Sequence, residues 1–236
     1  MEKKVAIVSG ASRGIGRAVA AQLARENYFV LLLARNAEEI TELEFEIDAA
    51  GGKALAYALD VSDEAQVEAV VQQALRDFGR IDVVVNNAGI GIFKPAEAIT
   101  AEEWSRLMDV NVKGSFLLTK AVLPAMQAAG SGHILAIASD VSKRTFPEGS
   151  LYCASKYAQD AFFSALRKEV LPHKIKESFI YPGLVDTFFH ECEPGQAHRH
   201  YYLQPKDIAD AVSYVLGAPP HVVVDELMIH PLEQVY

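Results

Sequence analysis

Seven short runs rich in Val, Ile, Leu and Ala recur along the chain: Val5–Val8, Phe29–Leu33, Ala54–Leu59, Ile81–Val85, His133–Ala138, Ser178–Tyr181 and Leu227–Ile229. Each is separated from the next by a segment long enough for a helix. Leu151–Leu171, for example, sets Phe162, Leu166 and Val170 on one stripe. Helix starts are signalled as well. Ser62 precedes Asp63 and Glu64, and Thr100 with Glu103 matches a capping box. Runs such as Val5–Val8 and Val83–Val85 are apolar on both faces, as a parallel strand between two helix layers must be. Alternation of this kind, closed by right-handed crossovers, predicts an α/β fold. It is a doubly wound parallel sheet of about seven strands with helices on both faces. No Pro/Gly/Ser-rich linker, repeat or low-complexity tract interrupts it, so residues 1–236 read as one domain. The least regular stretch is Gly183–Pro205, with Phe188, Phe189, Tyr201 and Tyr202. A long segment of this kind in a compact domain reads as a lid, here over about residues 184–205.

Composition narrows the possible partners. A chain of 236 residues exposes on the order of 10,000 Å² of the roughly 37,000 Å² of its unfolded form, so a full core needs no disulfide or metal staple. Lys and Arg number 22 against 31 Asp and Glu, a net charge of −9. Nucleic acid and anionic membrane both reward clustered positive charge, so neither is expected as a partner. Cys153 and Cys192 lack zinc-like spacing, and His190, His198 and His200 add no tetrahedral pattern, so no metal is expected. Gly10 and Arg13 arrive before any long apolar run, which argues against a signal peptide. Nor is there an apolar run of about 18 residues that would cross a membrane. The expectation is a reduced, soluble, cytoplasmic protein.

The first strand ends in Ser9-Gly10-Ala11-Ser12-Arg13-Gly14-Ile15-Gly16 and passes straight into a helix. Gly10 permits a sharp turn, Gly14 lets the backbone approach a phosphate, and Gly16 lets the helix pack close to the sheet. The helix start then offers free N–H groups and the positive dipole end to a pyrophosphate. A glycine-rich turn alone is weak evidence. A strand before it and a helix after it are the context that gives it meaning.

Gly10-x-x-x-Gly14-x-Gly16 resembles the cofactor loop of the short-chain dehydrogenase/reductase family, in which Thr is usual where this chain has Ser9. Further matches follow in family order. They are Asp60-Val61, Asn86-Asn87-Ala88-Gly89, Asn111 in Val-Asn-Val-Lys-Gly, Ser139, Tyr152-Cys153-Ala154-Ser155-Lys156, Pro182-Gly183 and Thr187. The resemblance spans essentially the whole chain. It implies a Rossmann-type fold, a nicotinamide cofactor and a catalytic set of Asn111, Ser139, Tyr152 and Lys156. It further implies that Asp60 and Val61 meet the adenine, Asn87 and Gly89 the adenosine side, and Thr187 the carboxamide. Pro182, Gly183 and Val185 would complete the cofactor wall, and Tyr152 and Lys156 would touch the cofactor too. Family members are commonly dimers or tetramers, built here through Trp104–Ala129 and Tyr152–Leu171, so a homodimer or homotetramer is expected.

The residue chemistry suits those roles. Tyr152 and Lys156 are four apart and share a helix face. An ammonium about 4 Å from a phenol favours the phenolate by roughly 4 kcal/mol at an effective dielectric of 20, enough to lower its pKa by up to about three units. Tyr152 then becomes a general acid/base, Ser139 hydrogen-bonds the substrate oxygen, and Asn111, by the resemblance, holds a water that relays protons to Lys156. Taken singly, each residue also reads as an ordinary surface or capping residue.

For cofactor choice, Ala34 stands where NAD-using relatives carry an acid, and Arg35 follows it. Arg35 and Arg13 suit a 2′-phosphate, which points to NADP(H). The ending Val224-Asp225-Glu226-Leu227-Met228-Ile229-His230-Pro231 is similar to those of 3-hydroxy acid dehydrogenases and sepiapterin-reductase-like or carbonyl reductases. The sequence therefore predicts an NADP(H)-dependent enzyme that interconverts a small-molecule carbonyl and its alcohol. Two alternatives stand beside it. One is a 3-oxoacyl-(acyl-carrier-protein) reductase, for which Lys143, Arg144 and Arg199 would form the docking patch. The other is a nucleotide-sensing protein on the same fold without turnover.

Overall fold

The computed structural model describes residues 3–190 and 193–234. Its strands are β1 (Val5–Ser9), β2 (Phe29–Ala34), β3 (Lys53–Ala58), β4 (Val83–Asn86), β5 (Gly132–Ile137), β6 (Ile175–Pro182) and β7 (Glu226–Ile229). They form one seven-stranded sheet in the order β3-β2-β1-β4-β5-β6-β7. Every pairing is parallel; Val8, for instance, lies between Leu32 of β2 and Val85 of β4. The α-helices are α1 (Gly14–Arg25), α2 (Ala37–Ala49), α3 (Glu64–Phe78), α4 (Ala101–Met108), α5 (Gly114–Ala129), α6 (Ser150–Val170) and α7 (Pro205–Leu216).

Side chains alternate between two cores, as the two-residue period of a strand demands. Val8, Leu32 and Ile180 pack with Val19 and Leu23 of α1, Ile40 of α2 and Val212 of α7. Ile7, Leu31 and Val84 point the other way, against Val67 of α3, Leu118 of α5 and Phe163 of α6. The inner strands β1 and β4 are buried at every position, whereas the edge strands β3 and β7 are only partly covered. This is the doubly wound arrangement that the alternation predicts. Among the described residues, no helix is long and apolar enough to cross a membrane.

The local signals are met with small shifts. Thr100 and Glu103 do form a capping box on α4. The cap of α3 is Asp63, not Ser62, which turns back to hydrogen-bond Asp60. On α6 it is Phe163 that is fully buried, while Phe162 is half-buried. One irregularity matters for the site. Between α4 and α5 the backbone forms a π-helical turn, Asp109–Lys113, and Asn111 sits inside it, fully buried. Such turns re-aim a side chain without ending the helix.

His133, at the start of β5, is buried, with Nε2 2.8 Å from Ser178 Oγ. Burial pushes its imidazole from 6.5 down to about 3. The unfolded chain therefore takes up a proton near pH 6.5 that the folded chain refuses until about pH 3. Stability from the neutral imidazole is complete above pH 6.5 and is lost as the pH falls towards 3, by up to about 5 kcal/mol at the limit. Urea unfolding between pH 7 and pH 4 is expected to show a shallower loss for His133→Gln than for the unaltered chain. Parallel losses would refute it.

Candidate active site

The strand order reverses between β1 and β4, so the chain leaves these neighbours towards opposite faces and opens a crevice at their C-terminal ends. A cleft of about 860 Å³ occupies that place. The crevice is held by Ser9, whose Oγ donates to Val85 O (3.2 Å) and accepts from Asn87 N (3.0 Å) and Ala88 N (3.1 Å). Asn87 Nδ2 returns the contact, donating to Ser9 O (2.9 Å) and Gly10 O (3.2 Å).

The glycine turn follows directly. Gly10 and Gly14 take φ of +65° and +58°, the left-handed region that a side chain disfavours. A Cβ on Gly16 would lie 2.2 Å from Gly10 O, so only glycine lets α1 start this close to the turn. No side chain caps α1, and its first turn carries no acid. Its N–H groups are left for an anion. Further along the cleft lie Ala34, Arg35, Asp60 and Val61. Burial works against the Asp60 charge, but hydrogen bonds from Ser62 and the nearby Arg35 hold its carboxyl below the ordinary value. Arg13 and Arg35 are both exposed, and the Arg13 guanidinium lies 5.3 Å over the Phe188 ring.

At the other end, Ser139 after β5 meets Tyr152 and Lys156 from α6. The Ser139 and Tyr152 hydroxyls hydrogen-bond one another. Lys156 is buried, and its Nζ donates to Ile137 O (3.2 Å) and Gln159 Oε1 (3.0 Å). Behind it, Gln159 Nε2 donates to Ser115 Oγ (2.8 Å), and Ser115 Oγ donates to Asn111 O (3.1 Å). Asn111 is fully engaged through its side chain. Its Nδ2 donates to Ile90 O (2.9 Å) and Ser155 Oγ (3.0 Å), and its Oδ1 accepts from Ile90 N (2.8 Å).

One expectation needs correcting. Proximity to Lys156 should lower the Tyr152 pKa, yet burial pushes the phenol well above its usual 10. The same burial pushes Lys156 from 10.5 down to about 8. The reason is geometric. Lys156 Nζ is 5.9 Å from the Tyr152 ring centre and turned towards Gln159 and Ile137, so loss of water governs both groups.

The structure brings Gly10, Ser12, Arg13, Gly14, Ile15, Arg35, Asp60, Val61, Asn87 and Gly89 onto the wall of one cleft. Ser139, Tyr152, Lys156, Pro182, Gly183, Val185 and Thr187 line it too. Gly16 and Asn111 do not face it; one seats α1 and the other clamps the loop after β4 onto α6. The described residues of the segment 184–205 carry more regular structure than their composition implies. Val185 bridges Leu203, two 3-10 turns (Phe188–His190 and Ala197–Arg199) interrupt it, and Pro205 already begins α7. Arg199 is buried there, donating to Thr187 O (3.0 Å) and paired with Asp186 at 3.4 Å. Lys143 pairs with Asp160 and Glu226, and Arg144 with Asp140. The basic patch of Lys143, Arg144 and Arg199 is thus a set of internal ion pairs. His198 and His200 are exposed, and Cys192 lies outside the described residues. Cys153 is buried, and burial raises its thiol pKa.

Several cleft residues escaped sequence reasoning. Asp140 accepts from Arg144 and from Gln234 Nε2 (2.8 Å), and Gln234 Oε1 accepts from Leu184 N (2.9 Å). Phe93 packs on Tyr152 at 5.3 Å, beside Phe189 of the lid stretch that the sequence does single out, which meets the same ring at 5.4 Å. The nearest signals were the adjacency of Asp140 to Ser139 and the place of Gln159 one turn after Lys156. Neither marks a role without the fold.

The family model for the short chain dehydrogenases matches residues 4–195. A glycine betaine reductase from Emericella nidulans is 36% identical over 239 residues, covering 98% of this chain but 19% of that protein. The chain therefore spans about a fifth of that relative's length. An oxidoreductase of Staphylococcus epidermidis is 33% identical over 98% of this chain and 99% of its own. Among solved structures, an alcohol dehydrogenase from the archaeon Thermococcus sibiricus, complexed with 5-hydroxy-NADP, superposes with a TM-score of 0.94 at 38% identity. It covers 100% of this chain and 99% of that one.

Because Gln159 supplies one of two acceptors to a buried ammonium, Gln159→Leu is expected to lower the Lys156 titration midpoint, by roughly one pKa unit. An NMR titration of the Lys156 side chain reads this directly, and an unchanged midpoint would refute it.

Proposed function

This chain belongs to the short-chain dehydrogenase family, and we propose that it is an NADP(H)-dependent oxidoreductase interconverting a ketone or aldehyde with its alcohol. The observation that carries the reading is the convergence of Ser139, Tyr152 and Lys156 at one end of the cleft whose other end holds the glycine turn and two exposed arginines. The cradle fits a dinucleotide. Gly14 leaves room in the cleft wall that a side chain would fill, Gly16 lets α1 start close against the turn, and the start of α1 is uncapped. Arg13 and Arg35 would take a 2′-phosphate, with no acid at Ala34 to repel it. The NADP-type ligand of the Thermococcus sibiricus enzyme supports the same choice. Thr187, buried across from Gly14, would face the nicotinamide carboxamide. When bound, the nicotinamide supplies or accepts the hydride.

The protein handles the proton. In the reducing direction Ser139 donates a hydrogen bond to the substrate oxygen, and Tyr152 delivers its phenolic proton there. A phenol held protonated by burial suits this role, because an alkoxide is the far stronger base. Lys156, a cation at neutral pH, stabilises the phenolate that remains. Gln159, Ser115 and Asn111 hold that ammonium in place.

Absorbance decay with NADPH and NADH, over a panel of ketones and aldehydes, tests the reading. Tyr152→Phe is expected to bind NADPH unchanged while turnover falls by about 10²–10⁴-fold; unchanged turnover would remove Tyr152 from its role. The double variant Arg13→Ala, Arg35→Ala is expected to lower kcat/KM for NADPH by roughly 10–100-fold. Its use of NADH should change much less. Equal losses with both cofactors would make the arginines general surface charges.

A further inference from the structure

Resting on the carbonyl reading above, we infer that the substrate is a neutral aryl ketone or aldehyde, with Phe93 as a residue that determines this specificity. The reacting end of the cleft has an apolar cluster of its own, apart from the two cores. In it Val141, Tyr152 and Cys153 pack with Phe93 and Phe189. Phe93 and Phe189 meet the Tyr152 ring at 5.3 and 5.4 Å and each other at 6.1 Å, and Phe146 adds a fourth ring 5.9 Å from Phe93. Phe93 comes from the loop after β4, and Phe189 from the segment after β6. A group carried next to the reacting carbon therefore lies against this cluster of rings. An aromatic group gains edge contacts of about 0.5–1.5 kcal/mol per ring pair beyond its burial.

Charge argues the same way. The cations lining this end are Lys156, turned inward to Ile137 O and Gln159, and Arg144, paired with Asp140. Asp140 is itself buried beside Ser139, accepting from Ser139 Oγ at 3.2 Å. A substrate carboxylate would meet that carboxylate or would have to draw Arg144 away from it. Either outcome leaves a buried charge less well paired, which disfavours anions at this site. An acidic acyl carrier fares no better, because Lys143 and Arg199 are also committed to carboxylates.

The test uses the whole chain with NADPH and four compounds: acetophenone, acetone, benzoylacetate and its ethyl ester. Expected is a kcat/KM for acetophenone at least about 100-fold above acetone, and for the ester at least tenfold above the acid. Phe93→Ala should shrink the acetophenone-to-acetone ratio by about tenfold. The acid equalling the ester, or an unchanged ratio in Phe93→Ala, would overturn the inference. If no carbonyl compound turned over, the reaction reading would fail instead. Calorimetry on the NADP+ complex then decides the inference separately. Benzyl alcohol binding more tightly than benzoate, and less tightly in Phe93→Ala, would sustain it; benzoate binding as tightly would overturn it.

Discussion

Three hydrogen bonds at one hydroxyl hold open the crevice on which the rest of the molecule depends. β1 and β4 lie side by side, yet the chain leaves them for opposite faces of the sheet. Their last backbone groups are left without the strand partners that satisfy the others. Ser9 Oγ answers this by binding Val85 O, Asn87 N and Ala88 N at once. Asn87 then fixes the carbonyls of Ser9 and Gly10 from the other side. The turn at Gly10, the uncapped start of α1 and the loop that carries Ile90 and Phe93 all hang from this staple. It fills the position where the family usually has Thr, and the role needs only a hydroxyl of that reach.

Water exclusion is the second constraint, and it acts on opposite charges in opposite senses. Burial raises the Tyr152 phenol above its ordinary 10.0 and lowers the Lys156 ammonium from 10.5 to about 8, so two groups of nearly equal proton affinity in water are driven apart, and the proton resides on the phenol. Among the described residues, no carboxylate pairs with this ammonium. It donates to a backbone carbonyl, Ile137 O, and to the Gln159 amide oxygen. A neutral acceptor steadies the cation without cancelling its charge, and leaves that charge for a phenolate nearby. A carboxylate at position 159 would neutralise the lysine and remove its effect on Tyr152.

Much of this architecture is legible in the sequence, because it is written in local terms. Strand runs and helix stripes are periodic, and each predicted strand lies within a few residues of the observed one. The glycine turn and the shared helix face of Tyr152 and Lys156 are readable for the same reason, since their spacing is set within one turn or one helix, whereas Ser139 is legible only through the family resemblance. The rest depends on contacts between distant segments. Nothing near Arg199 in sequence says that it folds inward onto Asp186. Nothing near Gln234 says that it reaches Asp140, 94 positions away. A helical spacing of four encodes proximity but not burial, and for Tyr152 burial is the larger effect.

Those long-range contacts converge on the segment that follows β6, and this explains how an irregular stretch can form a wall of the cleft. At its start, Leu184 N is held by Gln234 Oε1, and Gln234 Nε2 is held by Asp140, the neighbour of Ser139. One residue on, Val185 bridges Leu203, while Asp186 N donates to Leu203 O and Leu203 N to Leu184 O. Inside the loop, Arg199 binds the Thr187 carbonyl and the Asp186 carboxylate. The base of the segment is thus tied to the serine turn, to the C-terminal tail and to itself. The side chains it carries inward, Thr187 and Phe189, are fixed relative to Ser139 and Tyr152. A loop pinned at its base can vary at its tip without moving the reacting groups. Substrate choice in this chain can therefore reside in Phe93 and Phe189, while the proton-handling residues stay anchored to the sheet and α6.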